Sequence, residues 1–273
     1  MNHQVKQFIS KYHLFEQDTI QQIQLQHRFS LVEAFQIKPG MRILEIGCGQ
    51  GDTTVVLADA VGKDGHVIAI DIAPGNYGAP FTLAQAHENI QQSSLGNRIT
   101  FHLNTDFLEV TYEEPFDAIV FSHCSWYFKS IDQLKAYFAH AATLTNKLCF
   151  AEWDINFTSL NQRGHFCAVS ILALYAQFVE NDSNVQHIFS PNQIVSFMQQ
   201  AGFHVSSPIT VDANYLQDGQ WEQDYALHIK EYFNEAPSII RSLADSYYEM
   251  IHHHDHAESL HSFVLNGSVI NAN

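Results

Sequence analysis

The sequence predicts an α/β fold in which a doubly wound, mostly parallel sheet carries helices on both faces. Short apolar runs alternate with segments of helical periodicity along the chain, which is the pattern of a covered parallel sheet. Turn pairs of proline and glycine, such as Pro39-Gly40, separate these segments. Three glycines between Gly47 and Gly51 directly follow the first apolar run, as expected for a ligand-binding turn at the end of a strand.

The first elements follow closely upon one another. Residues of about 4–36 have apolar positions at helical spacing and predict two helices. A buried strand over 42–46 leads into the glycines, and a helix over 53–60 and a strand over 66–72 complete a strand-helix-strand unit. The next predicted elements are helices over 82–92 and 131–144 and strands over 99–103, 116–121 and 148–153.

The pattern changes after Trp153. A long apolar helical stretch covers 157–178, and Ser190 then begins a helix as its N-cap, with Pro191 and Gln193 behind it and Gly202 at its end. The last predicted elements are strands over 205–211 and 262–270, which make seven strands in all, and helices over 220–233 and 238–252.

This order suggests how the chain is organised. We expect an N-terminal helical cap over 1–37 and a main domain over 38–273. Helical insertions at about 155–189 and 214–256 interrupt the alternation. They are expected above the carboxyl edge of the sheet, where open α/β folds bind ligands.

Composition excludes several classes of function. The chain has 273 residues and a formal net charge of −16, so it would repel a nucleic acid. Its four cysteines form no C-x-x-C pair, and no apolar run approaches the roughly 20 residues that a membrane span needs. We therefore expect a cytoplasmic protein with no nucleic-acid partner and no stable membrane association.

The glycine turn narrows the class of ligand. A strand that runs through small residues into a helix directs backbone N–H groups and the positive helix end at a ligand. The dinucleotide fingerprint is G-x-G-x-x-G, but Asp52 stands where its third glycine would fall. No GK[ST] follows, which disfavours a P-loop, and a pyrophosphate would lie close to Glu45 and Asp52.

The pattern E-x-G-x-G-x-G at 45–51 resembles motif I of the class I S-adenosylmethionine-dependent methyltransferases, a family with a seven-stranded Rossmann-like fold. The resemblance extends over about 38–153, because acids follow the second and third strands and 116–128 is similar to the family's fourth strand and exit loop. Within the family, the chain is most similar to small-molecule enzymes, including cyclopropane-fatty-acid-synthase-like proteins. The basic surface that a lipid-acting member would need is missing.

The resemblance implies how S-adenosylmethionine would be held. Asp71 would accept hydrogen bonds from the ribose hydroxyls and Asp106 from the adenine amino group, while Ile72 and Phe107 would offer apolar faces to the purine. The implied cofactor-binding residues are Glu45, Gly47, Cys48, Gly49, Gly51, Asp71, Ile72, Thr105, Asp106, Phe107 and Ser122. From the N-terminal helices, Arg28 is a candidate partner for the cofactor carboxylate.

The loop at 74–81 departs from the family pattern, since it lengthens the connection after Asp71. It is expected either to fold over the cofactor or to form a surface loop. The apolar insertion at 155–189 also has two interpretations, a lid that excludes water from the site or the interface of a homodimer.

Methyl transfer requires alignment of a nucleophile with the methyl group, and a base if a proton must leave. His123 lies just past the fourth strand and is the predicted general base, with a structural hydrogen-bonding role as the alternative. The residues predicted to line the substrate pocket are Trp126, Tyr127, Glu152, Trp153 and His165.

The sequence thus predicts an enzyme that methylates a small, partly apolar acceptor and leaves the acceptor atom open. One alternative is a protein of the same fold that binds S-adenosylmethionine without transferring methyl. Another is an NAD-dependent oxidoreductase, which the glycine spacing disfavours. The run HHHDH at 252–256 suggests a metal, but its residues are consecutive and follow a predicted helix, so we expect no metal site.

Overall fold

The computed structural model describes residues 3–179, 184–251 and 258–269. Its strands are β1 (Arg42–Ile46), β2 (His66–Ile70), β3 (Ile99–His102), β4 (Ala118–Ser122), β5 (Lys147–Trp153), β6 (Phe203–Val205), β7 (Ile209–Val211) and β8 (Ser262–Val269). Its helices are α1 (His3–Tyr12), α2 (Thr19–Ala34), α3 (Asp52–Val61), α4 (Leu83–Gln92), α5 (Ile131–Leu144), α6 (Arg163–Tyr175), α7 (Pro191–Gln200), α8 (Asp218–His228) and α9 (Ser238–Ile251). Short 3-10 turns lie at Gly96–Arg98, Ser125–Tyr127, Leu160–Gln162 and Lys230–Glu235.

The strands form one sheet in the order β3-β2-β1-β4-β5-β8-β6, with β7 also paired to β8. Strands β1 to β5 are parallel, whereas β8 runs antiparallel to β5, β6 and β7. The chain order reverses between β1 and β4, and the carboxyl ends of strands at such a point form the crevice in which open α/β sheets bind ligands. The predicted fold class is confirmed.

The sheet of the described residues has eight strands, so the predicted number of seven is wrong. The single strand predicted over 205–211 is divided into β6 and β7, which both pair along β8. Pro208 lies between them and has no backbone N–H, so the hydrogen-bond ladder cannot continue through it. The Ser206 N–H still donates to Asn266 O at 2.9 Å and keeps the segment beside β8.

The predicted start of α7 is confirmed in detail. The Ser190 side chain accepts the Gln193 N–H, and the Gln193 side chain accepts the Ser190 N–H, which makes a capping box with Pro191 in the first turn. Gly202 follows the helix with a φ of +97°, a conformation that glycine adopts without a steric penalty.

Apolar side chains cover both faces of the sheet. On one face, side chains of α1, α2 and α3 form a hydrophobic cluster that includes Phe8, Leu31 and Leu57. On the other face, side chains of α5, α6 and α7 form a second cluster that includes Phe138, Ile171 and Ile194. The described helices include none that is long and apolar enough to cross a membrane.

The insertion after β5 is less helical than predicted. Helix α6 begins only at Arg163, after a loop in which Ser159 and Gln162 form their own capping box. Most of the apolar side chains of α6 are buried, because α8 and α9 of the same chain pack against it. A Cβ at Gly164 would lie 2.5 Å from the Gln223 side chain, so α6 and α8 approach one another closely.

Candidate functional site

The glycine turn after β1 forms an open cradle. Gly47, Gly49 and Gly51 have φ values of +71°, +52° and +93°, in the left-handed region that favours glycine. A Cβ at Gly47 would lie 2.6 Å from Cys124 Cβ, and one at Gly51 would lie 2.7 Å from Ile90 Cδ1, so the turn packs tightly at both ends. A Cβ at Gly49 would have no atom within 4 Å, so the middle of the turn faces open space.

Asp71 and Thr105 lie beside this cradle. The Asp71 carboxylate accepts the N–H groups of Gly49, at 2.8 Å, and of Ala73, at 2.9 Å. The Thr105 N–H donates to Asp71 O at 2.9 Å, which joins the ends of β2 and β3. A carboxylate has further lone pairs, so Asp71 can still accept hydrogen bonds from ligand hydroxyls.

The predicted purine contacts differ in their exposure. Ile72 is 58% exposed next to Asp71 and is accessible to a flat apolar ligand. The ring of Phe107 is 1% exposed, because Tyr137 and His140 of α5 pack edge-on against it. The sequence suggested that this ring would face the ligand, but it is part of the core.

Asp106 lies at the same edge of the sheet and is held in place by its neighbours. Its Oδ1 accepts the Leu108 N–H at 2.9 Å and the Tyr137 hydroxyl at 2.6 Å. Burial and the hydrogen bond to Asp106 raise the pKa of Tyr137 well above its usual value, so this hydroxyl stays protonated and remains a donor. One carboxylate oxygen of Asp106 therefore has fixed partners.

Glu45 has a structural position below the cradle. Its side chain is 2% exposed and accepts the Thr54 hydroxyl at 2.5 Å, which ties β1 to α3. Burial raises the pKa of Glu45 to about 8, although the Arg28 guanidinium opposes this shift. Cys48 is buried as well, and Ser122 accepts the Thr53 hydroxyl at 3.3 Å. These three predicted residues support the cradle from within.

Helix α2 places Arg28 in this region, with part of its guanidinium group lacking hydrogen-bond partners in the described part of the chain. Two guanidinium nitrogens of Arg28, Nε and Nη1, are buried and have no hydrogen-bond partner among the described residues. The same guanidinium favours the charged forms of Glu45 and Asp52, which places it near the start of α3. One turn before it, Gln24 Nε2 donates to Asp218 Oδ2 of α8 at 2.7 Å. A buried donor without an acceptor is costly, so this arrangement fits a ligand carboxylate.

His123 follows β4 in a left-handed conformation, with a φ of +52°. Its Nε2 lies 3.1 Å from Ser262 Oγ, and its Nδ1 lies 3.3 Å from Glu152 Oε1. Ser262 Oγ is also 3.0 Å from Nε2 of the buried His27. Burial lowers the pKa of His123, so its neutral form is favoured. Both ring nitrogens of the predicted base therefore face buried side chains of the protein.

Most of the predicted substrate-pocket residues form a buried layer. Glu152 Oε2 accepts the N–H and the hydroxyl of Ser125 at 3.1 and 2.7 Å, and His165 Nδ1 accepts the Leu260 N–H at 2.9 Å. The side chains of this layer are those of Trp126, Glu152, Trp153 and His165, and none is more than 7% exposed. Tyr127 differs from them because it is 47% exposed.

Two residues that the sequence did not single out lie near Tyr127. Although the Tyr127 ring is half-exposed, desolvation by the surrounding protein raises its pKa, and the nearby Tyr77 and Glu222 add to this effect. We call the region around these three residues the cleft. Tyr77 belongs to the loop at 74–81, which is tied to the cradle by the bond from Gln50 Nε2 to Phe81 O, 2.7 Å long. Glu222 is supplied by α8, and no local motif in the sequence indicated it.

The His-rich run at 252–256 lies outside the described residues. Within the described parts of the chain, no group of three or more His, Cys, Asp or Glu side chains is placed to hold a metal ion.

Comparisons with known proteins agree with this geometry. A family model described as "Methyltransferase domain" matches residues 37–232. The crystal structure of a cyclopropane-fatty-acyl-phospholipid synthase-like protein from Lactobacillus casei is similar over 98% of this chain and 100% of that chain, with 32% identity and a TM-score of 0.88. Phosphoethanolamine N-methyltransferase 2 from Haemonchus contortus, solved with S-adenosylmethionine, has the same fold at 16% identity and a TM-score of 0.52, over 89% of this chain and 52% of that chain.

Among the curated relatives, methyltransferase phomM from Diaporthe leptostromiformis is 32% identical over 107 residues. That match covers 32% of this chain and 28% of phomM, so the chain spans less than a third of the length of this relative.

Proposed function

The chain belongs to the S-adenosylmethionine-dependent methyltransferases, and from that premise we propose that it methylates a small, partly apolar acceptor. The observation that carries the proposal is the cleft beside the glycine cradle. The space at Gly49 is open, and the rings of Tyr77, on the loop bonded to Gln50, and of Tyr127, at the exit of β4, are half-exposed and offer apolar faces to a ligand. Helices α6 and α8 pack together, and α8 is bonded to α2 one turn before Arg28, which supports an acceptor of limited size.

The cofactor fits the residues at the cradle. We propose that Arg28 holds its carboxylate, Asp71 its ribose hydroxyls, Asp106 its amino group and Ile72 its purine ring. When bound, S-adenosylmethionine supplies a methyl group on a positively charged sulfur, which makes the methyl group electrophilic. The backbone N–H groups of the cradle and the start of α3 orient the ligand.

The remaining predicted cofactor and pocket residues have supporting roles in this proposal. Glu45, Cys48 and Ser122 stabilise the cradle from below, and Thr105 connects the two strand ends. The buried layer of Trp126, Glu152, Trp153 and His165 keeps water from the back of the cleft. Tyr127 is the member of the set that is accessible to an acceptor.

A proton acceptor is needed if the acceptor reacts through an O–H or N–H group. The contacts of His123 with Ser262 and Glu152 disfavour direct proton removal by its ring. We propose Glu222 for this role, because its helix α8 is bonded to α2 through Asp218 and Gln24, one turn before Arg28, and because burial and Asp218 raise the pKa of the Glu222 carboxyl group to about 7. A carboxyl group with this pKa is ionised in part of the molecules at neutral pH and can take a proton there. His123 then orients Glu152 and the exit of β4.

Calorimetry and a methyl-transfer screen test the proposal. The chain is expected to bind S-adenosylmethionine and its demethylated product, S-adenosylhomocysteine, but not NAD. It is then incubated with labelled S-adenosylmethionine and panels of small phenols, amines, carboxylates and unsaturated lipids, and label is expected in a small aromatic or aliphatic acceptor. Cofactor binding without label in any panel would favour the binding-protein alternative, and NAD binding alone would refute the assignment.

A further inference from the structure

His87 of α4 contacts the centre of the glycine turn. Its side chain is 5% exposed, and its Nε2 lies 2.7 Å from Gly49 O. A carbonyl oxygen can only accept, so Nε2 carries the proton and the buried Nδ1, which has no partner among the described residues, is bare. The ring stacks on Phe101 of β3, with centroids 3.7 Å apart and an interplanar angle of 11°, so its orientation is fixed.

The backbone conformation at Gly49 must be held by contacts with other residues, because a glycine has few steric restraints of its own. The peptide group before it is held by the bond from its N–H to Asp71 Oδ2, 2.8 Å long. The peptide group after it joins Gly49 to Gln50, and His87 holds the carbonyl oxygen of that group. Both peptide groups that flank Gly49 are therefore restrained from outside the turn.

The direction of the second peptide group matters for a ligand. In a trans peptide, the C=O and the N–H point to opposite sides, so a carbonyl held by α4 turns the Gln50 N–H away from α4. Helix α4 packs against one side of the turn, as the close approach of Ile90 to Gly51 indicates. A Cβ at Gly49 would have no atom of the described residues within 4 Å, so the space beside Gly49 is open. The cradle thus gains a backbone donor directed away from the helix.

We propose that His87 is a positioning residue for S-adenosylmethionine, which holds the Gly49–Gln50 peptide so that its N–H faces the bound cofactor. The proposal rests on the cofactor of the proposed function and is independent of the acceptor. Without the His87 donor, this glycine-flanked peptide can rotate, and binding must then restrain it again. Thirty-eight residues separate His87 from Gly49, so no local motif connects them.

The test is a calorimetric titration of purified full-length variants with S-adenosylhomocysteine, which needs no acceptor. His87→Phe keeps a flat ring on Phe101 but removes the donor, and it is expected to weaken binding about tenfold, the equivalent of one buried hydrogen bond. His87→Gln keeps an amide donor of similar reach and is expected to restore most of the affinity. The matched control is His66→Phe, since His66 Nε2 bonds Thr100 Oγ1 at 2.9 Å at the opposite end of β2 from Asp71. Its affinity is expected to equal that of the wild type.

Two outcomes would overturn the inference alone: wild-type affinity in His87→Phe, or equal loss in His87→Phe and His87→Gln, which would indicate a packing role. If His87→Phe does not fold, His87→Gln and His87→Asn replace it, because both carry an amide and only the longer side chain reaches Gly49 O. Equal affinities of that pair would refute the proposal. A wild-type chain that binds neither S-adenosylmethionine nor its product would overturn the proposed function and this inference together.

Discussion

The Nε2 atoms of His123 and His27 lie 3.1 Å and 3.0 Å from one oxygen, Oγ of Ser262. A hydroxyl has one proton, so it donates to one imidazole and accepts from the other, and the two rings must have complementary protonation. Glu152 Oε1, 3.3 Å from His123 Nδ1, favours a proton on that nitrogen. The hydroxyl then donates to His123 and accepts from His27. This series of interacting side chains connects α2, β4, β5 and β8 below the cleft.

Ser262→Ala is expected to destabilise the fold by about 1–3 kcal/mol, because it leaves two buried imidazole nitrogens without a partner. The free energy of unfolding, measured in urea, checks this. Ser246→Ala is a suitable control, since Ser246 lies on the exposed side of α9 and its hydroxyl bonds only Ser242 O in the described structure. A loss no larger than that of the control would show that the shared hydroxyl contributes nothing.

Glu222→Gln is expected to lower the turnover number about 100-fold with an acceptor found in the screen, because an amide cannot take the proton. His123→Ala is expected to lower it less and to reduce stability as well. Asp224→Asn is the control, as Asp224 is exposed on the same helix and accepts a bond from Gln220. Cofactor affinity is measured alongside, so that a binding defect is recognised. If Glu222→Gln were fully active and His123→Ala inactive, His123 and not Glu222 would be the base.

The parts of this site that the sequence predicted are local in the chain. The cradle, Asp71 and the start of α3 lie within 45–71, where the end of a strand, glycines and the start of a helix determine one another. The exit of β4 was predicted for the same reason. Ile72 and Phe107 show the limit, since residues outside a periodic element carry no signal for the direction of the side chain, and Phe107 is turned into the core.

The parts that were missed depend on contacts between distant segments. Ser262 is 139 residues from His123 and 235 from His27. Glu222 belongs to α8, which packs on α6 and is bonded to α2 through Asp218 and Gln24. The division of the predicted strand at 205–211 has a local cause, because Pro208 has no backbone N–H to continue the ladder.

His165 is expected to make stability depend on acidity. Burial lowers its pKa from about 6.5 in the unfolded chain to about 3, and the neighbouring His123 adds to this shift. Its Nδ1 accepts the Leu260 N–H and cannot keep this bond when protonated. Between these values the unfolded state binds the proton and the folded state does not, so stability is complete above pH 6.5 and is lost as the pH falls. At pH 5 the loss from His165 is about 2 kcal/mol.

His165→Asn tests this dependence, because the Asn side-chain oxygen can accept the same N–H but does not titrate. Urea unfolding of both proteins between pH 5 and 8 is expected to give a shallower slope for the variant. The other buried histidines keep part of the slope in both proteins, since burial also lowers the pKa values of His27, His87 and His123. Identical slopes would mean that His165 is protonated as readily in the folded chain as in the unfolded one.

Gly49→Leu is expected to abolish cofactor binding while the fold survives. Its Cβ would enter open space and would itself displace no protein atom, so the expected penalty is about 1–2 kcal/mol for a side chain at a φ of +52°. The same space is where the ligand approaches the turn, and a leucine side chain would fill it. Gly47→Ala is the informative comparison, because its Cβ would lie 2.6 Å from Cys124 Cβ. This substitution is therefore expected to lower the melting temperature more than Gly49→Leu does. Calorimetry with S-adenosylhomocysteine and thermal unfolding separate the two effects, and unchanged affinity in a folded Gly49→Leu variant would place the ligand elsewhere.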